Sequence, residues 1–274
     1  MNDPLGSCRD LAQKIRVHVL LMTHKAGASH VGTCLSVADI LAVLYTDVLR
    51  VDPARPNWPE RDRFILSKGH GAAAAYAVLA ERGFFPLTWL DTYCQDDSVL
   101  EGHITSHGVP GVEVSTGSLG HGLSISCGMA LAGKRERLPY RVFAVLSDGE
   151  CEEGSTWEAV LFAAHHRLDN LIAIVDYNKI QSFGTIKEVL DLEPLADKWR
   201  AFGWSVREID GHDCAQIEDA LKGVPFKPDK PSCIIAHTIK GKGVSFMENQ
   251  LAWHYKSPTV EQLAQALAEL GVIW

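Results

Sequence analysis

The sequence predicts an α/β protein with a doubly wound parallel sheet flanked by helices. Two short, uninterrupted apolar segments carry this prediction, residues 142–146 and 171–175, which are typical of strands buried on both faces. The segment between them predicts a helix, with a capping-box pair at Ser155 and Glu158 at its start. A strand, a helix and a strand in this order form a βαβ unit, so the two strands are expected to be parallel neighbours.

The other elements repeat this alternation. Apolar residues at helical spacing predict a first helix over about residues 8–24, and the pair Ser36 and Asp39 predicts the start of the second. In the helix between the two apolar strands, we expect one buried face made of Trp157, Leu161, Ala164 and Leu168. Further strands are expected at 64–66, 204–209 and 233–237, and further helices at 72–82, 122–135, 214–222 and 260–270.

Composition excludes several classes of protein. The 274 residues include 26 Lys and Arg and 34 Asp and Glu, which gives a net charge of −8. This negative charge argues against nucleic-acid binding. No apolar stretch is long enough to predict a membrane span. The seven cysteines are scattered without a CxxC pair, which favours reduced thiols in a cytoplasmic protein over disulfides or a zinc site. The sequence shows no linker or repeat, so residues 1–274 are predicted to form a single domain.

Polar side chains follow both apolar strands of the βαβ unit. Asp148 and Gly149 come directly after the first strand, and Asn178 follows the second. Ligands of open α/β sheets bind beyond the carboxyl ends of the strands, where carboxylate and amide oxygens together suit Mg²⁺ or Ca²⁺ rather than zinc. Two such side chains are too few for a closed site, so we expect a phosphate-bearing ligand to complete it. An Asp-Gly pair alone is typical of a plain turn.

Four of the twelve histidines lie in loops, namely His30, His70, His103 and His254, and are candidates for a functional site. A single histidine is more often a packed or surface residue, which is our interpretation of most of the others. Two interpretations of Lys240–Gly243 stay open, a solvated basic turn or a part of the site.

These strand ends resemble the thiamine diphosphate motif, usually written GDG…N, and the sequence is similar to that of transketolases over about residues 10–257. The matching segments are Ser67–His70, Ser115–Gly120, Ser147–Gly154, Ser155–Ala159, Asp176–Gln181 and Lys240–Ser245. The resemblance implies the diphosphate-binding domain of the thiamine-diphosphate fold.

The resemblance also implies roles for individual residues. Asp148, Asn178 and the backbone carbonyl of Ile180 would hold Mg²⁺, or Ca²⁺. His30, His103 and His254 would face the substrate as catalytic residues. The cofactor would contact His70, Gly117, Ser118, Leu119, Gly149, Glu153, Asn178 and His254, with Glu153 beside the pyrimidine at an interface between chains.

Four positions depart from the family pattern. Ser147 replaces the first glycine of the motif, and Ile104 replaces the proline of Gly-His-Pro. Tyr255 stands where a glycine usually follows His254, and His121 stands where glutamine is common. These departures concern the substrate more than the cofactor.

The function that the resemblance implies is that of the N-terminal subunit of a split transketolase. We expect it to transfer a two-carbon ketol unit between sugars or sugar phosphates, with thiamine diphosphate. Because this chain ends at Trp274, a C-terminal subunit with the pyrimidine-binding domain is expected as a separate chain, in an α2β2 assembly. Two alternatives are the α subunit of a 2-oxo acid dehydrogenase or an acyl-transferring relative, and a non-catalytic cofactor-binding partner.

Overall fold

Five parallel strands form the centre of the computed structural model, which describes residues 4–272 of the chain. They lie in the order β1-β2-β3-β5-β4, and every neighbouring pair is parallel. The doubly wound parallel sheet predicted from the apolar segments is therefore confirmed. The strands are β1 (Arg63–Leu66), β2 (Val142–Ser147), β3 (Leu171–Tyr177), β4 (Ser205–Asp210) and β5 (Ser232–His237).

Helices cover both faces of this sheet. They are α1 (Pro4–Ala26), α2 (Val31–Ser36), α3 (Ala38–Val43), α4 (Ala72–Glu81), α5 (Gly122–Glu136), α6 (Gly154–His165), α7 (Ile186–Val189), α8 (Leu195–Ala201), α9 (Cys214–Lys222) and α10 (Val260–Glu269). One apolar core joins α1, α3, α4, α9 and α10 to the sheet, and a second joins α5, α6 and α8. In the part of the chain that is described, no helix combines the length and the apolar character needed to cross a membrane.

The central strands contribute side chains to both cores in alternation. In β2, Phe143 and Val145 belong to the first core, whereas Val142, Ala144 and Leu146 belong to the second. All five are buried, because a parallel strand between two helical layers has no face left for water. This explains why the strand appears in the sequence as a continuous apolar run rather than an alternating one.

Two predicted helix starts are wrong. Ser36 ends α2 instead of starting a helix, and its hydroxyl donates to Oδ2 of Asp176, 2.6 Å away. Ser155 lies inside α6, which begins one residue earlier, and its hydroxyl donates to the carbonyl of Gly120 at 2.9 Å. Both hydroxyls donate to groups distant in the sequence, and neither accepts a hydrogen bond from the N-terminus of a helix.

The predicted buried face of α6 is also wrong. Leu161 is 59% exposed, and Trp157 and Ala164 are only partly buried, although Leu168 is buried just beyond the helix. The residues of α6 that are buried are Thr156, Ala159, Val160 and Ala163. These are mostly small side chains, which let the helix pack closely on α5.

Candidate active site

The predicted cation ligands lie beside each other at the carboxyl ends of β2 and β3. These strands pair in register, with Ser147 opposite Asp176, so the residues that follow them meet at one edge of the sheet. The Asp148 carboxylate accepts hydrogen bonds from the backbone N–H groups of Gly149, at 2.8 Å, and Lys179, at 2.5 Å. Two backbone donors from two strand ends therefore fix this carboxylate.

These strand ends open into a cleft of about 430 Å³. Of the predicted site residues, only Ser118, which is exposed, is not among those that line it within the described part of the chain. The other eleven all line the cleft: His30, His70, His103, Gly117, Leu119, Asp148, Gly149, Glu153, Asn178, Ile180 and His254. Residues from widely separated parts of the sequence thus share one cavity.

A buried ion pair lies beneath the cleft and was missed by the sequence reasoning. Lys68 donates to Asp176, and both side chains are fully buried. Lys68 also donates to the hydroxyl of Thr33 at 2.5 Å, while Asp176 accepts from Ser36 and Thr238. Burial alone would raise the pKa of Asp176, but Lys68 and these hydrogen bonds outweigh it and hold the pKa below its usual range. The signal was a lysine two residues after the end of a strand.

The four loop histidines form one cluster around His30. The centroid of the His30 ring lies 5.0 Å from that of His254, 5.3 Å from that of His70 and 5.5 Å from that of His103. His30 has a left-handed backbone with φ 71°, and its N–H donates to the carbonyl of His254 at 3.0 Å. This conformation is uncommon for a residue other than glycine and turns the chain before α2.

Burial keeps three of these histidines neutral. It lowers the pKa of His30 to about 4, with further lowering by His103 and Lys240. It lowers the pKa of His254 to about 3, helped by Lys240, and the pKa of His70 well below the usual value, helped by Lys68. A neutral imidazole has one nitrogen that donates and one that accepts, so each ring can make both kinds of hydrogen bond to a bound molecule near pH 7.

Lys240 is part of the site rather than a solvated basic turn. Its side chain is buried, and its Nζ lies 2.7 Å from the Ile180 carbonyl and 2.9 Å from Nδ1 of His254. Burial lowers the pKa of Lys240 to about 8. Lys240 thus brings a positive charge to the same oxygen that was predicted as a cation ligand.

The donor atoms of this cleft fit a hard divalent cation. Burial and the charge of Asp176 raise the pKa of Asp148 by more than its backbone hydrogen bonds and the charge of Lys240 lower it, so a cation bound beside this carboxylate would stabilise it. Across residues 4–272, no three His, Cys, Asp or Glu side chains are grouped to bind a metal. The candidate oxygens are those of Asp148, Asn178 and the Ile180 carbonyl, which also accepts from Lys240, and this set suits Mg²⁺ or Ca²⁺.

Two glycines allow close packing in the wall of the cleft. A Cβ on Gly69 would lie 2.7 Å from the backbone nitrogen of Gly117, and a Cβ on Gly117 would lie 2.8 Å from the His103 ring. Neither position has room for a side chain, so the loop that carries Gly117 lies directly against the end of β1. The same packing holds the His103 ring at the cleft.

The positions that depart from the family pattern fit this structure without disrupting the sheet. Ser147 is the last residue of β2, and its hydroxyl accepts from the N–H of Glu150 at 3.2 Å. Ile104 is buried and donates its N–H to the carbonyl of Gly69 at 3.0 Å. Tyr255 is 55% exposed, with its ring centroid 4.9 Å from that of His254. His121 is exposed at the start of α5, outside the cleft lining.

Comparison with known proteins identifies relatives of similar length. Residues 7–272 match the family described as transketolase, thiamine diphosphate binding domain. The chain is 47% identical over 259 residues to a subunit of the 6-deoxy-6-sulfo-D-fructose transketolase of Clostridium sp. (strain MSTE9), covering 94% of each protein. It is 42% identical over 260 residues to a subunit of the apulose-4-phosphate transketolase of Phocaeicola vulgatus, covering 95% of this chain and 92% of that one.

Solved structures that are similar to this chain are also transketolases. The transketolase of Leishmania mexicana superposes with a TM-score of 0.92 and 30% identity over 97% of this chain. The transketolase of Campylobacter jejuni superposes with a TM-score of 0.91 and 31% identity over the whole chain. This chain spans 42% and 44% of the length of those two proteins. From its sequence, its fold and the residues of its cleft, the chain belongs to the transketolase family, in the N-terminal part that forms the thiamine diphosphate-binding domain.

Proposed function

We propose that this chain is the N-terminal subunit of a split, thiamine-diphosphate-dependent transketolase. It transfers a two-carbon ketol unit from a ketose donor to an aldose acceptor. One observation carries the proposal: oxygen donors at the ends of β2 and β3 share a cleft with a cluster of four histidines. This cleft lies in a chain that matches, over nearly its full length, relatives named as transketolase subunits.

The cofactor site is proposed residue by residue. Asp148, Asn178 and the Ile180 carbonyl hold Mg²⁺, with Ca²⁺ as the alternative ion. When bound, thiamine diphosphate supplies the carbanion-stabilising chemistry that the transfer requires. The residues proposed to contact it are His70, Gly117, Ser118, Leu119, Gly149, Glu153, Asn178 and His254. Lys240, buried beside His254, adds positive charge that suits a diphosphate.

The histidines handle protons and hydroxyl groups of the substrate. His30, His103 and His254 are proposed as general acids and bases. Burial lowers the pKa of His30 and of His254 and keeps both rings neutral near pH 7, so each ring has one nitrogen that can accept a hydrogen bond from a substrate hydroxyl and one that can donate. His103 is exposed, whereas the other three histidines of the cluster are partly buried, so it is the one of the four that is most accessible to an incoming sugar.

A second chain is proposed to complete the active site. Relatives that match this chain nearly end to end are named as subunits, which implies a partner. We propose that the partner carries the pyrimidine-binding domain and that two copies of each chain form an α2β2 assembly. Glu153 and Phe183 support this arrangement, since both line the cleft and both are exposed. We also propose that the whole chain forms one cofactor-binding domain.

The substrates are proposed to be sugars or sugar phosphates. Relatives are named for a sulfonated fructose and for apulose 4-phosphate, both of which are sugars that carry an anionic group. We also propose that the protein acts in the cytoplasm, because its seven cysteines are free thiols and a reducing compartment keeps them so.

The test is Asp148→Asn in the chain purified together with its partner. We expect Mg²⁺-dependent binding of thiamine diphosphate, measured by calorimetric titration, to be lost, and ketol transfer from a ketose phosphate to be lost with it. Asp219→Asn is the control, since Asp219 is exposed on α9 and its change leaves both intact.

Three results would contradict parts of this proposal. Unchanged cofactor affinity in Asp148→Asn would contradict the cation site. Activity on a 2-oxo acid without activity on ketoses would favour the α subunit of a 2-oxo acid dehydrogenase. Unchanged turnover in His103→Ala and His254→Ala would favour a non-catalytic partner.

A further inference from the structure

A chain of buried hydrogen bonds lies behind the cleft and joins distant segments of the sequence. Arg16 of α1 donates to both oxygens of Asp39 in α3, at 3.1 Å and 2.5 Å. Oδ2 of Asp39 lies 2.7 Å from Nδ1 of His212, and Nε2 of His212 lies 2.8 Å from the backbone nitrogen of Ile239. The side chains of Arg16, Asp39 and His212 are only 10–12% exposed.

The geometry fixes which nitrogen of His212 carries the proton. A backbone N–H can only donate, so Nε2 must accept from Ile239 and Nδ1 must donate to Asp39. Burial alone would raise the pKa of Asp39, but the hydrogen bond from His212 and the charge of Arg16 hold it below its usual range. Asp39 therefore stays an anionic acceptor and sets both the tautomer and the orientation of the imidazole.

Ile239 is the residue through which this network reaches the cleft. It lies between the end of β5 and Lys240, whose Nζ lies beside the Ile180 carbonyl and His254. The preceding residue, Thr238, is held by Asp176 and by the carbonyl of Tyr177. The bond from the N–H of Ile239 to His212 fixes the peptide group between Thr238 and Ile239, one residue before Lys240.

We propose that His212 is a positioning residue for the cofactor site, acting through the backbone N–H of Ile239 to hold Lys240 in place. This inference rests on the proposed function, because Lys240, Ile180 and His254 matter here as neighbours of the cofactor. His212 does not line the cleft but a separate groove at the ends of β4 and β5. It therefore acts on the site only through the residues that it holds.

Two substitutions separate the two hydrogen bonds of His212. A glutamine amide can place its oxygen near the position of Nε2, so His212→Gln keeps an acceptor for Ile239. An asparagine amide can place its nitrogen near the position of Nδ1, so His212→Asn keeps a donor for Asp39 but leaves the Ile239 N–H without a partner. If His212 only filled space, the glutamine and asparagine variants would have the same effect on cofactor binding.

The measurement is calorimetric titration of thiamine diphosphate with Mg²⁺ into the complex of this chain with its partner. We expect His212→Asn to weaken binding about tenfold, because a buried donor loses its acceptor, and His212→Gln to stay within about twofold of the natural protein. Hydrogen exchange at the Ile239 amide, measured without cofactor, gives an independent readout. It is expected to accelerate in His212→Asn and to stay slow in His212→Gln.

The outcomes distinguish this inference from the proposed function. If the natural complex does not bind thiamine diphosphate, the proposed function fails. If it binds and the two variants bind equally, or if His212→Gln is the weaker binder, only the role of His212 is overturned. Should His212→Asn fail to fold, Asp39→Asn replaces it, because it weakens the anchor of the ring and leaves the ring in place. A loss of about threefold is then expected, and unchanged affinity would contradict the role.

Discussion

The cleft has a floor and a rim that are built in opposite ways. The floor consists of Thr33, Ser36, Lys68, Asp176 and Thr238, all of them buried and joined by hydrogen bonds around one ion pair. The rim consists of Glu153, Phe183 and Val189, which line the same cleft but are exposed.

This difference indicates which part of the site the chain completes by itself. Charged groups are stable in a buried position only when they are paired and hydrogen-bonded, and the floor meets that condition with its own residues. The rim leaves an aromatic side chain, Phe183, 81% exposed at the mouth of the cleft. We therefore expect substitutions in the floor to change the stability of the chain and substitutions in the rim to change its association.

The largest effect on stability is expected from Asp176→Ala. It leaves the ammonium of Lys68 buried without a counter-charge, so the free energy of unfolding should fall by about 3–5 kcal/mol. Urea denaturation of the purified chain measures this change. The matched control is Asp219→Ala, which removes an ion pair whose carboxylate is 84% exposed and should cost at most about 0.5 kcal/mol. Equal losses in the two variants would mean that the floor contributes no more than a surface pair.

A smaller loss is expected from Gly69→Ala. The new methyl group would lie against the Thr116 carbonyl and 2.7 Å from the nitrogen of Gly117, so the loop must move, at a cost of about 1–3 kcal/mol. Gly128→Ala in α5 is the control, because nothing lies within 4 Å of its added methyl group and it should gain about 0.5–1 kcal/mol of stability. Changes of the same sign in both variants would contradict the close packing seen here.

A pH-dependent effect is expected from His30. Its pKa falls from 6.5 in the unfolded chain to about 4 in the folded one, so between these values the unfolded chain binds more protons. The contribution of His30 to stability is therefore complete above pH 6.5 and is lost as the pH falls towards 4. In urea denaturation from pH 7 to pH 4, His30→Asn should lose stability less steeply than the natural chain. His107→Asn, at an exposed histidine, should follow the natural chain, and identical curves for all three proteins would refute the assignment.

The smallest effect on stability is expected in the rim. Phe183→Ser should change the free energy of unfolding by at most about 0.5 kcal/mol, because the ring is already exposed. In a surface-plasmon-resonance titration, the same variant should bind the partner chain more weakly by about tenfold, as expected for an aromatic anchor. Val260→Ser, at an exposed apolar residue that does not line the cleft, is the control. Unchanged affinity in Phe183→Ser would place the interface elsewhere.

Most of the sheet could be predicted from the sequence, because its central strands correspond to local runs of apolar residues. Residues 142–146 and 171–175 are apolar throughout since both faces of each strand are covered. The start of α10 was also predictable, since the capping box at Thr259 and Gln262 involves only neighbouring residues. In both cases, residues that are neighbours in the sequence are enough to indicate the element.

The features that were missed or left open depend on partners distant in the sequence. Ser36 has the local appearance of a helix cap, but its hydroxyl bonds to Asp176, 140 residues later. Lys240 has the local appearance of a solvated turn, but it is buried against Ile180 and His254. Only the folded structure shows whether the Ser36 hydroxyl caps a helix or bonds to a distant residue. Likewise, only the folded structure shows whether the Lys240 side chain lies in solvent or in a buried site. Strand ends and loop positions had already pointed to most of the eleven cleft residues, but Gly117, Leu119, Glu153 and Ile180 were predicted only because the family resemblance supplied the tertiary information that local patterns lack.

Native mass spectrometry tests the central claim most directly. The chain would be tagged, purified from the cells that make it and measured with thiamine diphosphate and Mg²⁺ present. A complex of this chain with a second polypeptide, each site carrying the cofactor, is the predicted result. A chain that associates only with itself and holds no cofactor would contradict the assignment of this protein as the cofactor-binding half of a two-chain transketolase.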